Sequence, residues 1–108
     1  FISLRVVLPN IKSLLASKGF ELVLLVKPQF EVGRNRVGKG GVVRDASAHV
    51  FALKAVVEAA EMLGLQQKGL IASPITGPAG NHEYLLWLGE EKVKELPDLK
   101  ALVKETLN

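Results

Sequence analysis

Leu4, Val7, Leu8, Ile11, Leu14 and Leu15 recur at helical spacing, and Ser3 stands where a cap would open that helix. Gly19 is its expected stop, while Pro9 either kinks the first turns or marks the true start. Residues 22–26 then form an unbroken apolar run, which predicts a strand over 21–27 buried on both faces, as inside a parallel sheet. That strand ends on one lysine, Lys27, followed by Pro28. A second helix is predicted from Ala46, capped by Asp45 and stopped by Gly64. Its inner stripe is Val50, Leu53, Val56, Val57, Ala60 and Leu63. Residues 68–73 and 82–88 read as short strands. The turn-rich connection over 74–81 is too short for a crossover helix, so these two strands are expected to pair antiparallel.

The ends differ in character. Residues 1–3 read as the tail of a strand. Beyond Gly89 the chain turns charged, and residues 90–96 and 98–107 are predicted helical on either side of Pro97, with Leu99, Leu102, Val103 and Leu107 as a narrow apolar stripe. The order helix, strand, loop, helix, hairpin predicts an α/β fold, the second half of a doubly wound sheet. Residues 1–89 form that unit and residues 90–108 a helical tail.

Composition narrows the possibilities. At 108 residues the chain is one domain or part of one, and a hydrophobic content of 48% suits a piece of a buried sheet. A net charge of +3 fits an RNA partner without establishing one. There is no cysteine and there are only two well-separated histidines, so neither disulfides nor a metal site is expected. No apolar run approaches the ~18 residues of a membrane span, and no signal peptide is evident.

Two features point to chemistry. Ligands of open α/β sheets bind at the carboxyl ends of the strands, where Lys27 is delivered. Residues 33–45 follow with Gly33, Gly38, Gly40 and Gly41 among Arg34, Arg36, Lys39 and Arg44. Glycine permits close backbone approach, and these cations suit phosphate oxygens, so a mobile, polyanion-contacting loop with few apolar anchors is expected. Its spacing matches neither a Walker loop nor a dinucleotide fingerprint.

Val26-Lys27-Pro28-Gln29-Phe30-Glu31, then Val37-Gly38-Lys39-Gly40-Gly41-Val42-Val43-Arg44-Asp45, then Ser73-Pro74-Ile75-Thr76-Gly77-Pro78-Ala79-Gly80-Asn81-His82-Glu83 occur in that order. Together they resemble the C-terminal half of the TlyA-type, or hemolysin A-like, proteins, which are FtsJ-like ribosomal RNA 2′-O-methyltransferases. Phe1-Ile2-Ser3-Leu4 fits that family's Asp-x-Ser-Phe-Ile-Ser-Leu segment, and the resemblance covers roughly residues 1–89. It implies a Rossmann-like sheet ending in an antiparallel hairpin, S-adenosylmethionine as cofactor, ribosomal RNA as partner and a cytoplasmic location.

The family's Lys-Asp-Lys-Glu tetrad is matched here at its second lysine by Lys27 and at its glutamate by Glu83, the expected catalytic residues. A lysine is protonated at neutral pH, so a basic role needs burial or a neighbouring cation to weaken its hold on the proton. Glu83 is expected to orient the lysines or bind the ribose; without the resemblance it would read as a surface strand residue. Arg34, Arg36, Lys39 and Arg44 are the candidate RNA contacts.

The tetrad's aspartate and first lysine, the glycine-rich turn that holds the cofactor, and an S4-like RNA-binding domain are not in this sequence. The chain thus resembles a fragment, expected to be inactive alone, to show no measurable cofactor binding and to self-associate as a dimer or domain swap. Among the remaining residues, Glu31 could contact a lysine, His49 reads as a capping or surface residue and His82 as a strand residue facing water. Tyr84 and Trp87 read as core, and Asn35 and Asn81 as turn formers. The alternatives are a non-catalytic RNA-binding module and, following the hemolysin name, a membrane-active protein.

Overall fold

The computed structural model describes residues 2–91 and 95–108. Helix α1 (Leu4–Leu14) is opened by Ser3, whose hydroxyl accepts from the Arg5 amide, and it runs through Pro9. A proline inside a helix removes one backbone bond and costs ~3 kcal/mol. Packing of Leu8, which is fully buried, offsets that cost. Leu14, expected on the inner stripe, is instead 85% exposed, because the helix ends there and Leu15 turns to extended backbone. Gly19 does not stop α1; with φ at 72° it forms the turn that enters the next strand. Ile2 and Ser3 are not in a strand, and Phe1 lies outside the described residues.

The sheet has three strands, β1 (Glu21–Val26), β2 (Gln66–Ala72) and β3 (Tyr84–Gly89), in the order β1-β3-β2. β3 pairs antiparallel with both neighbours. β1 and β2 therefore run the same way, joined through helix α3 (Ala46–Met62), with β3 inserted between them. The expected hairpin of the last two strands is present.

The expectation that β1 is buried on both faces is not met. Leu24 and Val26 are buried, whereas Val23 is 60% and Leu25 40% exposed. α1 and α3 both contribute to the single core cluster on the Leu24–Val26 side, where Leu8, Leu53, Val56, Leu70, Leu86 and Leu88 meet. An apolar run therefore produced a half-buried edge strand, since periodicity reports what a strand can bury and not what covers it.

α3 starts at Asp45, whose carboxylate accepts from the Ser47 amide, an arrangement worth about 1 kcal/mol. It stops at Gly64, whose φ of 78° a side chain would strain. Leu53, Val56, Val57 and Ala60 of the expected stripe are buried, with Val50 and Leu63 partly so. Helix α4 (Leu99–Leu107) is capped by Asp98 and inserts Val103, fully buried, against the core. The helix expected over 90–96 is not formed at Glu90, Glu91, Glu95 or Leu96, and residues 92–94 lie outside the described residues.

Candidate active site

The register of the sheet builds the site. Val26 of β1 pairs with Tyr84 of β3, so the residue after the first strand and the residue before the last emerge side by side at one end. Those residues are Lys27 and Glu83. Lys27 cannot continue the strand because Pro28 begins a one-turn helix, α2 (Pro28–Glu31), at once. Its ammonium lies 3.9 Å from Glu83 Oε2 and 5.4 Å from the centre of the Phe30 ring. The Lys27 side chain is about a third exposed, whereas Glu83 is buried at 4%.

Two residues that the sequence did not single out fix the carboxylate. Gln29 Nε2 donates to Glu83 Oε2 at 3.0 Å, which turns the one-turn helix into a support for the glutamate. Gly77 makes the room: a Cβ there would lie 2.6 Å from Glu83 Oε2. A buried carboxylate needs partners, and this one has an amide and an ammonium on the same oxygen. The lysine's outward path stays open to solvent, so the pair can meet a hydroxyl arriving from outside.

The basic loop divides into two short 3₁₀ turns, Arg34–Arg36 and Lys39–Gly41. It is not the weakly anchored segment expected from its composition. Val43 is buried at 2%, and Asn81 clamps the loop by accepting from the Val43 amide and donating to the Gly41 carbonyl, both at 2.9 Å. Asn81 is therefore no simple turn former; at 2% exposure it ties the loop to the segment that carries Glu83. Arg36 donates to Asp45 at 3.2 Å and to Ser47 at 2.8 Å, and Arg44 to the Lys39 carbonyl at 3.1 Å. Among the described residues, the Arg34 and Lys39 side chains have no such partner and stand in solvent. Asp45 sits below the usual carboxylate range because Ser47 and then Arg36 donate to it.

Several side chains depart from their expected places. His49 is fully buried: Nε2 lies 2.8 Å from the Val43 carbonyl and Nδ1 2.9 Å from the Tyr84 hydroxyl. A carbonyl only accepts, so the hydrogen sits on Nε2 and Nδ1 accepts from the tyrosine. Burial lowers the His49 pKa and raises that of Tyr84 to about 12. Tyr84 is in the core, as expected. Trp87 is not: it is 40% exposed on the open face, with Lys68 Nζ 4.5 Å from the ring centre and Nε1 donating to Glu21 at 2.8 Å. Glu31 contacts no lysine among the described residues. It accepts from the Ser3 hydroxyl at 2.5 Å and the Leu4 amide at 2.7 Å, placing a negative charge at the N-terminus of α1. His82 is half-buried and precedes β3 instead of lying within it.

A cavity of about 650 Å³ lies on the open face of the sheet, lined by Val23, Ile71, Leu85 and Trp87 among others, and neither Lys27 nor Glu83 lines it. It is therefore badly placed to present a methyl donor to that pair. The glycine-rich loop likewise follows α2 and does not pass from a strand straight into a helix.

The FtsJ-like methyltransferase family model matches residues 1–90. YqxC of Bacillus subtilis, described as an rRNA methyltransferase, is 48% identical over 102 residues, covering 91% of this chain and 36% of that protein. The 16S/23S rRNA (cytidine-2′-O)-methyltransferase TlyA of Mycobacterium tuberculosis is 50% identical over 88 residues, covering 82% of this chain and 32% of its own length. A crystal structure described as a hemolysin of Lactococcus lactis superposes with a TM-score of 0.85 at 37% identity, over 96% of this chain and 50% of that one. The chain belongs to the FtsJ-like methyltransferase family. It spans about a third of the length of the curated relatives it matches.

Proposed function

We propose that this chain is the acceptor-side part of an S-adenosylmethionine-dependent ribose 2′-O-methyltransferase acting on ribosomal RNA. The observation that carries the reading is the Lys27–Glu83 contact at the carboxyl end of β1, held by Gln29 and given space by Gly77. Lys27 approaches the ribose 2′-hydroxyl and stabilises the negative charge that grows on its oxygen as the proton leaves. Glu83 fixes the ammonium and provides an acceptor beside it. The methyl group comes from S-adenosylmethionine, held in the parent protein mostly by residues other than these. Arg34 and Lys39 contact RNA phosphates, while Arg36 and Arg44 brace the loop that presents them. The fragment alone is inactive.

A non-catalytic RNA-binding module would use the loop cations, but it gives no reason to bury Glu83 and hold it beside a partly exposed lysine. Membrane activity has no support in the helices, because among the described residues none is long and apolar enough to cross a membrane. Ribose methylation of ribosomal RNA by the full-length parent tests the proposal. Lys27→Ala is expected to lower the rate on the order of 10²–10⁴-fold, and an unchanged rate contradicts it.

A further inference from the structure

Phe51 is 46% exposed on α3 and is absent from the core cluster, although the helix buries residues on both sides of it in sequence. A large ring on a solvent face is an ordinary surface feature when it stands alone. This one does not. The Arg5 and Arg36 guanidiniums each lie 5.9 Å from its centre, one brought by α1 and one by the basic loop. Both are held before any ligand arrives. Arg5 donates to Glu31 Oε1 at 3.3 Å and to the Glu31 carbonyl at 2.7 Å, and Arg36 is fixed by Asp45 and Ser47. Those two carboxylates neutralise the two arginines locally, so bulk attraction for phosphate falls instead to unpartnered Arg34, two residues from Arg36. What remains is a half-exposed ring with two guanidiniums held over it, a set of planar groups on which a nucleobase stacks whatever its sequence.

One of its two guanidiniums, that of Arg5, is anchored on the same short helix that supports the catalytic pair. Glu31, which holds Arg5, is the last residue of α2, and Gln29, which holds Glu83, lies two residues before it. We infer that Phe51, with Arg5 and Arg36, is a stacking platform for an unpaired base of the RNA substrate, flanking the nucleotide presented to Lys27. The inference rests on the RNA-methyltransferase reading, but it is tested by binding alone.

The probe is a short unstructured oligouridylate, compared with an abasic oligonucleotide of the same length and phosphate count, titrated into the 108-residue chain and read by fluorescence anisotropy. The chain should bind the oligouridylate at least severalfold more tightly than the abasic strand. Phe51→Leu should erase most of that difference while leaving the melting temperature nearly unchanged, and Phe51→Trp should preserve it. The readout is binding without methyl transfer, so failure of the catalytic assignment would not be mistaken for failure of this one. Equal affinity for the two strands, or no binding of either, overturns the inference. So does an unaltered base preference in Phe51→Leu, and so does a Phe51→Leu effect confined to the oligomeric state, which would make the platform a contact between copies.

Discussion

Asn81 Oδ1 accepts from the backbone amide of Val43 at 2.9 Å across 38 positions of sequence, and its amide donates to the Gly41 carbonyl. Through this one side chain the basic loop and the turn that delivers Glu83 are held in a single arrangement. Removing it leaves a buried amide and a carbonyl without partners, each costing ~1–3 kcal/mol. Asn81→Ala is therefore expected to destabilise the chain by a few kcal/mol in urea unfolding. Backbone hydrogen exchange should also accelerate at Val43 more than in β1. Unchanged exchange at Val43 would show that the loop holds itself.

Gly77 gives a sharper separation of stability from chemistry. A methyl at that position would lie 2.6 Å from Glu83 Oε2, so the carboxylate must shift. Gly77 φ is not in the left-handed region, so alanine brings no backbone strain. Gly77→Ala should change stability by about 1 kcal/mol or less, as for an ordinary substitution, while lowering methylation by the parent at least tenfold. An active Gly77→Ala enzyme would mean that the position of Glu83 is not critical.

His49 predicts a pH dependence. Burial lowers its pKa below the ordinary 6.5, with nearby His82 acting in the same sense and the Val43 carbonyl and Asp45 opposing. The unfolded chain then binds a proton at this residue in a range where the folded chain does not. Stability is full above about pH 6.5 and falls as pH drops from there towards the lowered folded value. His49→Gln should flatten that part of the profile, measured by denaturant midpoints from pH 7.5 to 5. A profile of the same slope in the variant would contradict the assignment.

Self-association should follow from the apolar sheet face, which no element of the described residues covers, and from the position of β1 at the edge of the sheet. Val23, Leu25, Ile71 and Trp87 are each at least 40% exposed there, and α4 packs against α3 instead of covering them. Light scattering at micromolar concentration should give at least a dimer mass, and Leu25→Lys should shift it to monomer. A monomer with a cooperative melt in the unmodified chain would refute this.

Much of the fold could be read from the chain because its punctuation is local. Ser3, Asp45 and Asp98 cap helices, Gly64 ends one, and the short link over 74–81 allows only an antiparallel return. Lys27 and Glu83 were legible through the family motifs, and the Val26–Tyr84 register explains why they meet. What escaped was set by distant partners. Asn81 sits in a Gly-Asn-His string that any turn would share, and its burial depends on Val43 and Gly41. His49 occupies a first helical turn where histidines are usually wet, and only the fold brings the Tyr84 hydroxyl to it. Val23 and Trp87 look like core residues by composition, yet no described element covers their face.

The central claim is that Lys27 and Glu83 act together on one ribose hydroxyl. Its most direct test is a double-mutant cycle of single-turnover 2′-O-methylation of ribosomal RNA by the full-length parent, using Lys27→Ala, Glu83→Ala and the pair. If they act as a unit, each single variant loses most of the rate and the double variant is little worse than either. Losses that multiply, or a single variant with an unaltered rate, would show that the two side chains do not share one catalytic task.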